Sequence, residues 1–490
     1  MRLTFIVLAT LASSAAAQQP LADSLATRVD AEFARYARPD SPGCAVGVYQ
    51  NGAITYSKGY GMANLEYSVP ITPATPFISG SVAKQFTAAA IALLVEQGRL
   101  SLDDDVRKYI PELPDYGAKI TIDHLVHHTS GLRDFWALVQ VAGMRYDDGY
   151  TAGDVIRLAA RQKHLNFTPG TEYDYSNTGY IALGLIVQRV TGKSLREFAA
   201  EQIFGPLGMT STHYHDDHTM IVPGRASAYS PLPEGGYRIN VWNNDIVGQG
   251  GLIVTVNDLQ KWDENFYTGK VGGPGFLKRQ LQQGKLANGT TLSYAFGLTV
   301  GEYRGMPLVE HGGSSGGYRT IISRFPTAHT SVVALCNSSD ANTTMLSHRV
   351  ADVVLGPKFT LASGPPRPRP DTNTVTVNRG ATVLRGASHP ARTFAPLAGR
   401  YYSEELDATY EILVSGQSLT VRRPRGEVDT LMTPGTTLGA RAPAAPDALT
   451  FRGGGLTYHF APNAGSSSPS FTVDIGRARG MEFKRVARAR

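Results

Sequence analysis

Apolar residues recur at helical spacing through Phe77–Glu96, FISGSVAKQFTAAAIALLVE, where Ala83, Phe86, Ala90, Leu93 and Leu94 share one side. This spacing predicts a mostly buried helix. The same period marks residues 22–38, with Leu25, Val29, Phe33 and Tyr36 together. Further helices are predicted over Thr121–Val126, Tyr180–Val190, Leu195–Phe204 and Val256–Tyr267. Strand-like runs at Cys44–Tyr49 and Ala53–Gly59 flank Gln50-Asn51-Gly52, a hairpin signal. Gly250–Val254 reads as a short strand, and Asp216–Val247 mostly as loop. Tyr294–Val300, Met306–Glu310, Tyr318–Phe325 and Ser331–Asn337 lie close enough together to predict an antiparallel sheet. The proline-rich SGPPRPRPDTN, Ser363–Asn373, cannot fill a sheet interior and reads as a linker. Short alternating strands separated by turn residues then run from Leu397 to Val486, which predicts a small antiparallel barrel or sandwich.

A chain of 490 residues exceeds one ordinary domain. The pattern divides it into a leader at 1–17, a large α+β domain at 18–360, a linker at 361–395 and a small all-β domain at 396–490. The leader reads as a secretory signal: Arg2, an apolar core over Leu3–Leu11, and Ala15-Ala16-Ala17 before Gln18. No later stretch is apolar for long enough to span a bilayer, so a periplasmic or secreted protein is expected. Two cysteines do not make a disulfide framework. Cys44 and Cys336 both lie in strand-like runs and could pair only if those strands are neighbours; two buried free thiols are the expectation. The net charge of +6 is uneven, since 17 Lys and Arg against 10 Asp and Glu follow Ala362. No like-charge run is long, so this reads as a solvated face, with an anionic wall or membrane surface as the alternative.

Candidate chemistry changes the picture most at Ser81 and Lys84. Three residues is just under one helical turn, which places the Lys84 amine over the Ser81 hydroxyl. Serine needs an adjacent base to act as a nucleophile. A lysine buried at a helix N-terminus, where positive charge is disfavoured, can be neutral enough to serve. The same helix end aims free N–H groups at any oxyanion. The plain alternative is an N-cap serine followed by a snorkelling lysine.

Such a pair also needs a proton relay, an oxyanion site and a grip on the substrate. Tyr175-Ser176-Asn177 offers Tyr175 for the relay, if a nearby cation lowers its pKa, and Asn177 as a donor to a substrate carbonyl. The alternative there is an ordinary turn before a helix; Tyr49-Gln50-Asn51 has the same pattern and belongs to the hairpin. His311-Gly312-Gly313-Ser314 ends a strand-like run. Gly312 and Gly313 would let a substrate backbone lie along a strand edge, and Ser314 N–H would join Ser81 N–H as an oxyanion donor. His311 would present a group titrating near neutral pH.

Three other motifs are set aside. Gly312-Gly313-Ser314-Ser315-Gly316 matches a nucleophile elbow, but the elbow must run into a helix and YRTIISRF reads as a strand. HYHDDH, His213–His218, has no separated second ligand cluster and reads as a polar loop, so neither a metal nor another cofactor is expected. His127 and His128 are read as capping or packing the end of their helix.

Together these motifs resemble the serine β-lactamase and penicillin-binding protein superfamily, and within it the class C-like D-aminopeptidases, D-alanyl-D-alanine carboxypeptidases and esterases. Ser-x-x-Lys, Tyr-x-Asn and Lys/His-x-Gly follow in order at Ser81, Tyr175 and His311, flanked by ITIDHLVHHTSGL, FTPGTEYDYSNTGY, FGPLGMTST and GQGGLIVTVNDL. The resemblance covers roughly Val29–Leu355. It implies a β-lactamase/transpeptidase-like domain, a helix-flanked antiparallel sheet beside an all-helical part with the site between them. It also implies a barrel-like appendage of the D-aminopeptidase type at the end. By resemblance, Ser81 forms an acyl-enzyme, Lys84 and Tyr175 share the proton transfers, and Asn177 positions the substrate. Histidine at 311, where most β-lactamases of this branch carry lysine, favours D-amino-acid peptides or small esters over β-lactams. The implied partner is a small-molecule or peptide substrate, with a cell-wall surface as a second candidate; nothing points to nucleic acid. A β-lactamase and a catalytically silent binding protein are the alternatives.

Overall fold

A computed structural model describes residues 20–361, 394–415, 418–431, 449–460 and 470–486. The predicted leader and the proline-rich linker lie outside these described residues.

The Asn-Gly turn forms as expected, with Asn51 at φ 48° and Gly52 at φ 80° joining β1 (Cys44–Gln50) to β2 (Ala53–Tyr60). Later in the chain come β3 (Thr299–Tyr303), β4 (Met306–Ser315), β5 (Tyr318–Phe325) and β6 (Thr330–Cys336). These six make one antiparallel sheet in the order β3-β4-β5-β6-β1-β2. Side chains alternate across it as strand geometry requires. Val46 and Val48 pack with α1 (Asp23–Glu32) and with Leu346 and Val350 of a late helix, Thr343–Leu355, on one face. Ala45 and Tyr49 point to the other face and join the main core.

That core is built on α2 (Lys84–Glu96), whose residues are buried from Lys84 through Leu94. An all-helical part adds α3 (Ile122–Val126), α4 (Phe135–Val141), α5 (Ala152–Ala160) and α6 (Asn177–Thr191). Helix α6 starts three residues earlier than its apolar spacing predicts, because Ser176 accepts the Gly179 N–H as N-cap.

After the linker, eight short strands make a second antiparallel sheet, from Gly399–Ser403 through β7 (Ser470–Ile475) to β8 (Ala478–Val486). It curls until its first and last neighbours nearly meet, around Tyr401, Tyr410, Tyr458, Phe471 and Phe483. The barrel-like core is continuous with Ala137, Leu138 and Val141 of α4, so this unit packs directly on the helical part.

One expectation is corrected. Cys44 and Cys336 are direct partners in the β1–β6 register and form a disulfide, across 292 residues of sequence. Strands remote in sequence are adjacent in the sheet, which the linear pattern does not reveal. Replacing both cysteines with serine should cost about 2–5 kcal/mol, since a long loop is released in the unfolded chain. Denaturant titration of the oxidised protein and the double variant measures it.

Candidate active site

Ser81 lies in a 3₁₀ turn, Gly80–Ala83, that runs into α2. The turn begins on Gly80 at φ 52°, a left-handed conformation suited to glycine. The Ser81 hydroxyl does not act as a helix cap; it meets Lys84 Nζ at 3.2 Å.

Lys84 has no exposed surface. Its amine also donates to Asn177 Oδ1 at 2.9 Å and to the Gln249 carbonyl at 2.7 Å. Both of those oxygens can only accept, so a neutral amine spends its two N–H bonds on them and turns its lone pair toward the Ser81 O–H. Burial holds the Lys84 pKa well below that of an ordinary lysine, and the charge of Arg477 adds to this, against the pull of Asp134. A base aimed at a nucleophile is the chemistry this geometry allows.

Asn177 opens α6 and is held by Asp134, whose Oδ2 accepts from its N–H at 2.7 Å and from Nδ2 at 2.8 Å. Asp134 Oδ1 meanwhile caps α4 through Trp136 N and Ala137 N. The carboxylate fixes which way the Asn177 amide points, and so presents Oδ1 to the lysine.

The Tyr175 ring lies 4.8 Å from Lys84 Nζ. Its hydroxyl is buried beside Ser81 without a full hydrogen bond. The relay reading depends on a nearby cation lowering its pKa. Burial instead pushes it up, and the Ser81 hydroxyl and Arg477 offset this only in part. Tyr175 is thus held as a protonated donor.

His311 lies on β4. Its Nδ1 donates to the Gly312 carbonyl at 2.6 Å, so Nε2 accepts from the Tyr294 hydroxyl at 2.9 Å. Titration near neutral pH was expected; burial, reinforced by Lys84, lowers its pKa to about 4. His311 is a neutral group at pH 7.

Strand β4 presses against the Ser81 turn. A Cβ on Gly80 would lie 2.7 Å from Ser314 N; one on Gly313 would lie 3.0 Å from Ser81 N and 2.0 Å from the Ser79 carbonyl oxygen. The backbones carrying Ser81 N–H and Ser314 N–H are therefore in direct apposition. Gly312 is roomier, with nothing nearer than 3.6 Å to a Cβ.

The structure thus gathers Ser81, Lys84, Tyr175, Asn177, His311, Gly313 and Ser314. It adds residues that the sequence reading passed over. Asp134 precedes the apolar run FWALVQV, an N-cap signal that could have been used. His127 and His128 both end α3 as expected, His127 as its C-cap and His128 just beyond it, where its N–H donates to the Leu125 carbonyl; His128 also reaches the site. His128 has φ 58°, accepts the Ser176 N–H on Nδ1 at 3.1 Å and stacks 4.1 Å from the Tyr175 ring. The elbow match fails as expected, since β4 turns into β5. In the HYHDDH run, Asp217 and His218 lie near Asp245 at the surface, and His218 Nδ1 is 2.8 Å from the Asp245 carboxylate.

Comparison with known proteins agrees with this arrangement. The family description "Beta-lactamase" matches residues 23–355. A D-aminopeptidase of Gluconobacter oxydans is 31% identical over 323 residues, 66% of this chain and 61% of that protein. The chain therefore spans less than two thirds of that relative's length. An octameric penicillin-binding protein homologue from Pyrococcus abyssi shares the fold at TM-score 0.60 and 23% identity, covering 94% of this chain and 99% of its own. The D-amino acid amidase of Ochrobactrum anthropi, complexed with L-phenylalanine amide, aligns at TM-score 0.57 and 21% identity, over 68% of this chain and 99% of the amidase. With the family description extending from α1 through the last helix of the sheet domain, the protein belongs to the β-lactamase family.

Proposed function

We propose that this is an exported serine hydrolase that cleaves amide bonds of D-amino-acid peptides or amides through an acyl-enzyme on Ser81. The observation that carries the reading is the buried Lys84 amine, 3.2 Å from Ser81 Oγ and held there by Asn177 Oδ1 and the Gln249 carbonyl, so that in its deprotonated form the lone pair is directed at Ser81. Ser81 Oγ bonds to the substrate carbonyl carbon while its proton passes to Lys84 Nζ. The oxyanion lies against the N–H groups of Ser81 and Ser314, an electrostatic contribution of the oxyanion-hole kind. The C–N bond then breaks as the leaving nitrogen takes a proton, with Tyr175 as relay. Water adds to the ester, gives its proton to Lys84, and Ser81 Oγ recovers a proton as the C–O bond breaks.

The substrate class is supported by the similarity to a D-aminopeptidase and by the fold shared with a D-amino acid amidase. The neutral His311 offers no fixed positive charge where a β-lactam carboxylate would need one. Export is supported by the leader pattern and by the Cys44–Cys336 disulfide, which suits an oxidising compartment.

Hydrolysis of D-alanine p-nitroanilide by the mature protein, beside the L-isomer and a Ser81→Ala control, tests the reading. Ser81-dependent turnover with preference for the D-isomer is expected. Turnover of penicillin but not of the anilide would replace it with a β-lactamase. A stable penicillin adduct on Ser81 without turnover of any substrate would make this a binding protein.

A further inference from the structure

Nothing in the reaction above calls on the terminal sheet, yet its β7–β8 turn is seated against the residues that support Lys84. The Arg477 carbonyl accepts from Asp134 N at 3.1 Å and from Asn166 Nδ2 at 2.9 Å. Its guanidinium lies 3.5 Å from Asp134 Oδ1, donates to the Tyr175 carbonyl at 3.5 Å and sits 5.5 Å from the Tyr175 ring. Neighbouring contacts fix the turn. Arg479 pairs with Glu172 at 3.2 Å, and the buried Arg133–Glu405 pair closes at 2.8 Å across the same junction.

We propose that Arg477 of the terminal sheet is a positioning residue for the Ser81 chemistry, acting on Lys84 through Asp134 and Asn177.

The physical case rests on where charge sits around the lysine. Its direct partners Ser81, Asn177 and the Gln249 carbonyl are uncharged, as are the Tyr175 and Tyr180 rings beside it. His128 and His311 also face it, and burial keeps both neutral at pH 7. Asp134 and Arg477 remain as the charged pair. Asp134 is wholly buried and one side chain removed from Lys84. Alone, it would attract a proton onto the amine; Arg477 opposes that attraction and ties Oδ1 down while Oδ2 holds Asn177. Arg477 itself faces Asp134, Tyr175, Tyr173, Tyr146, His128 and Asp174, the last with its pKa raised to about 6 by burial. Arg477 is the cation whose charge, after burial, most lowers the Lys84 pKa. The inference needs Ser81 as nucleophile but not the D-amino-acid substrate class.

The test follows Ser81 labelling by a fluorophosphonate against pH in the full chain, read by intact mass. Arg477→Met keeps the stem and removes the charge; Arg477→Lys restores it. Arg477→Met should move the acid limb of labelling upward by about one pH unit, a loss of about tenfold below the limb that shrinks at high pH. Arg477→Lys should return the limb toward wild type, and both variants should unfold cooperatively when heated. An unmoved limb in Arg477→Met overturns the proposal, as does a uniform loss at all pH values that lysine does not rescue. Absence of labelling in wild type removes the nucleophile and this proposal with it. Labelling with the expected shift but no turnover of the D-anilide defeats the substrate reading and leaves Arg477 in its role.

Discussion

Lys84→Met should lower kcat/KM by about four orders of magnitude, the upper end of what a positioned general base contributes. Methionine is close in length to the lysine stem, but its thioether is far too weak a base to take the Ser81 proton. The fold should survive, because α2 is buried along its length by residues other than the amine. Two oxygens, Asn177 Oδ1 and the Gln249 carbonyl, lose their donor, at about 1–3 kcal/mol for each group left unsatisfied. Against this, methionine removes the cost of burying an amine. The sign can be followed with pH. Burial lowers the Lys84 pKa, so below the ordinary value of about 10.4 the unfolded chain binds a proton that the folded chain refuses. Wild type should therefore gain stability relative to Lys84→Met as pH rises toward that value. Thermal unfolding at pH 7 and pH 10 checks the trend, and stopped assays check the rate.

Gly313→Ala should reduce turnover by about 10²–10³ and stability by about 1–3 kcal/mol. The obstacle is space. The new Cβ would meet the Ser79 carbonyl oxygen at 2.0 Å and Thr320 Oγ1 at 2.3 Å, while Thr320 itself donates to that same carbonyl at 2.5 Å. Neither is the end of a flexible side chain, so β4 must move off the Ser81 turn, and the Ser314 N–H moves with it. Gly312→Ala, one residue earlier, meets nothing closer than 3.6 Å and should cost the fold little. Equal destabilisation by the two alanines would show that glycine is needed here for reasons other than the close approach.

Local chemistry was legible in the sequence, because each motif carries its own short-range logic. Ser81 and Lys84 are one turn apart, Asn177 opens a helix after a polar loop, and paired glycines follow His311 on a strand. These residues do converge. The hairpin at Asn51-Gly52 and three of the late antiparallel strands were legible for the same reason, whereas the strand expected over Tyr294–Val300 begins only at Thr299. Contacts made across the fold were not. Cys44 finds Cys336 only because the first strand of the sheet lies beside the last. Tyr294 reaches His311, and His128 reaches Tyr175, through positions that look like strand and helix-end residues. Environment was equally hidden: His311 is neutral and Tyr175 raised because of burial, which composition cannot report. Arg477 is the extreme case, read as part of a solvated basic segment and found beside Asp134.

The strand order β3-β4-β5-β6-β1-β2 also sets a schedule for folding during synthesis. The β1–β2 hairpin is complete once about sixty residues have emerged, yet one edge of β1 has no partner until residues 330–336 arrive. Until then it presents a nearly continuous apolar strand, Cys44 to Tyr49, with unpaired backbone groups that invite pairing with other chains. The sheet closes in one late step, when the strand that completes β1 also brings the second cysteine to the first.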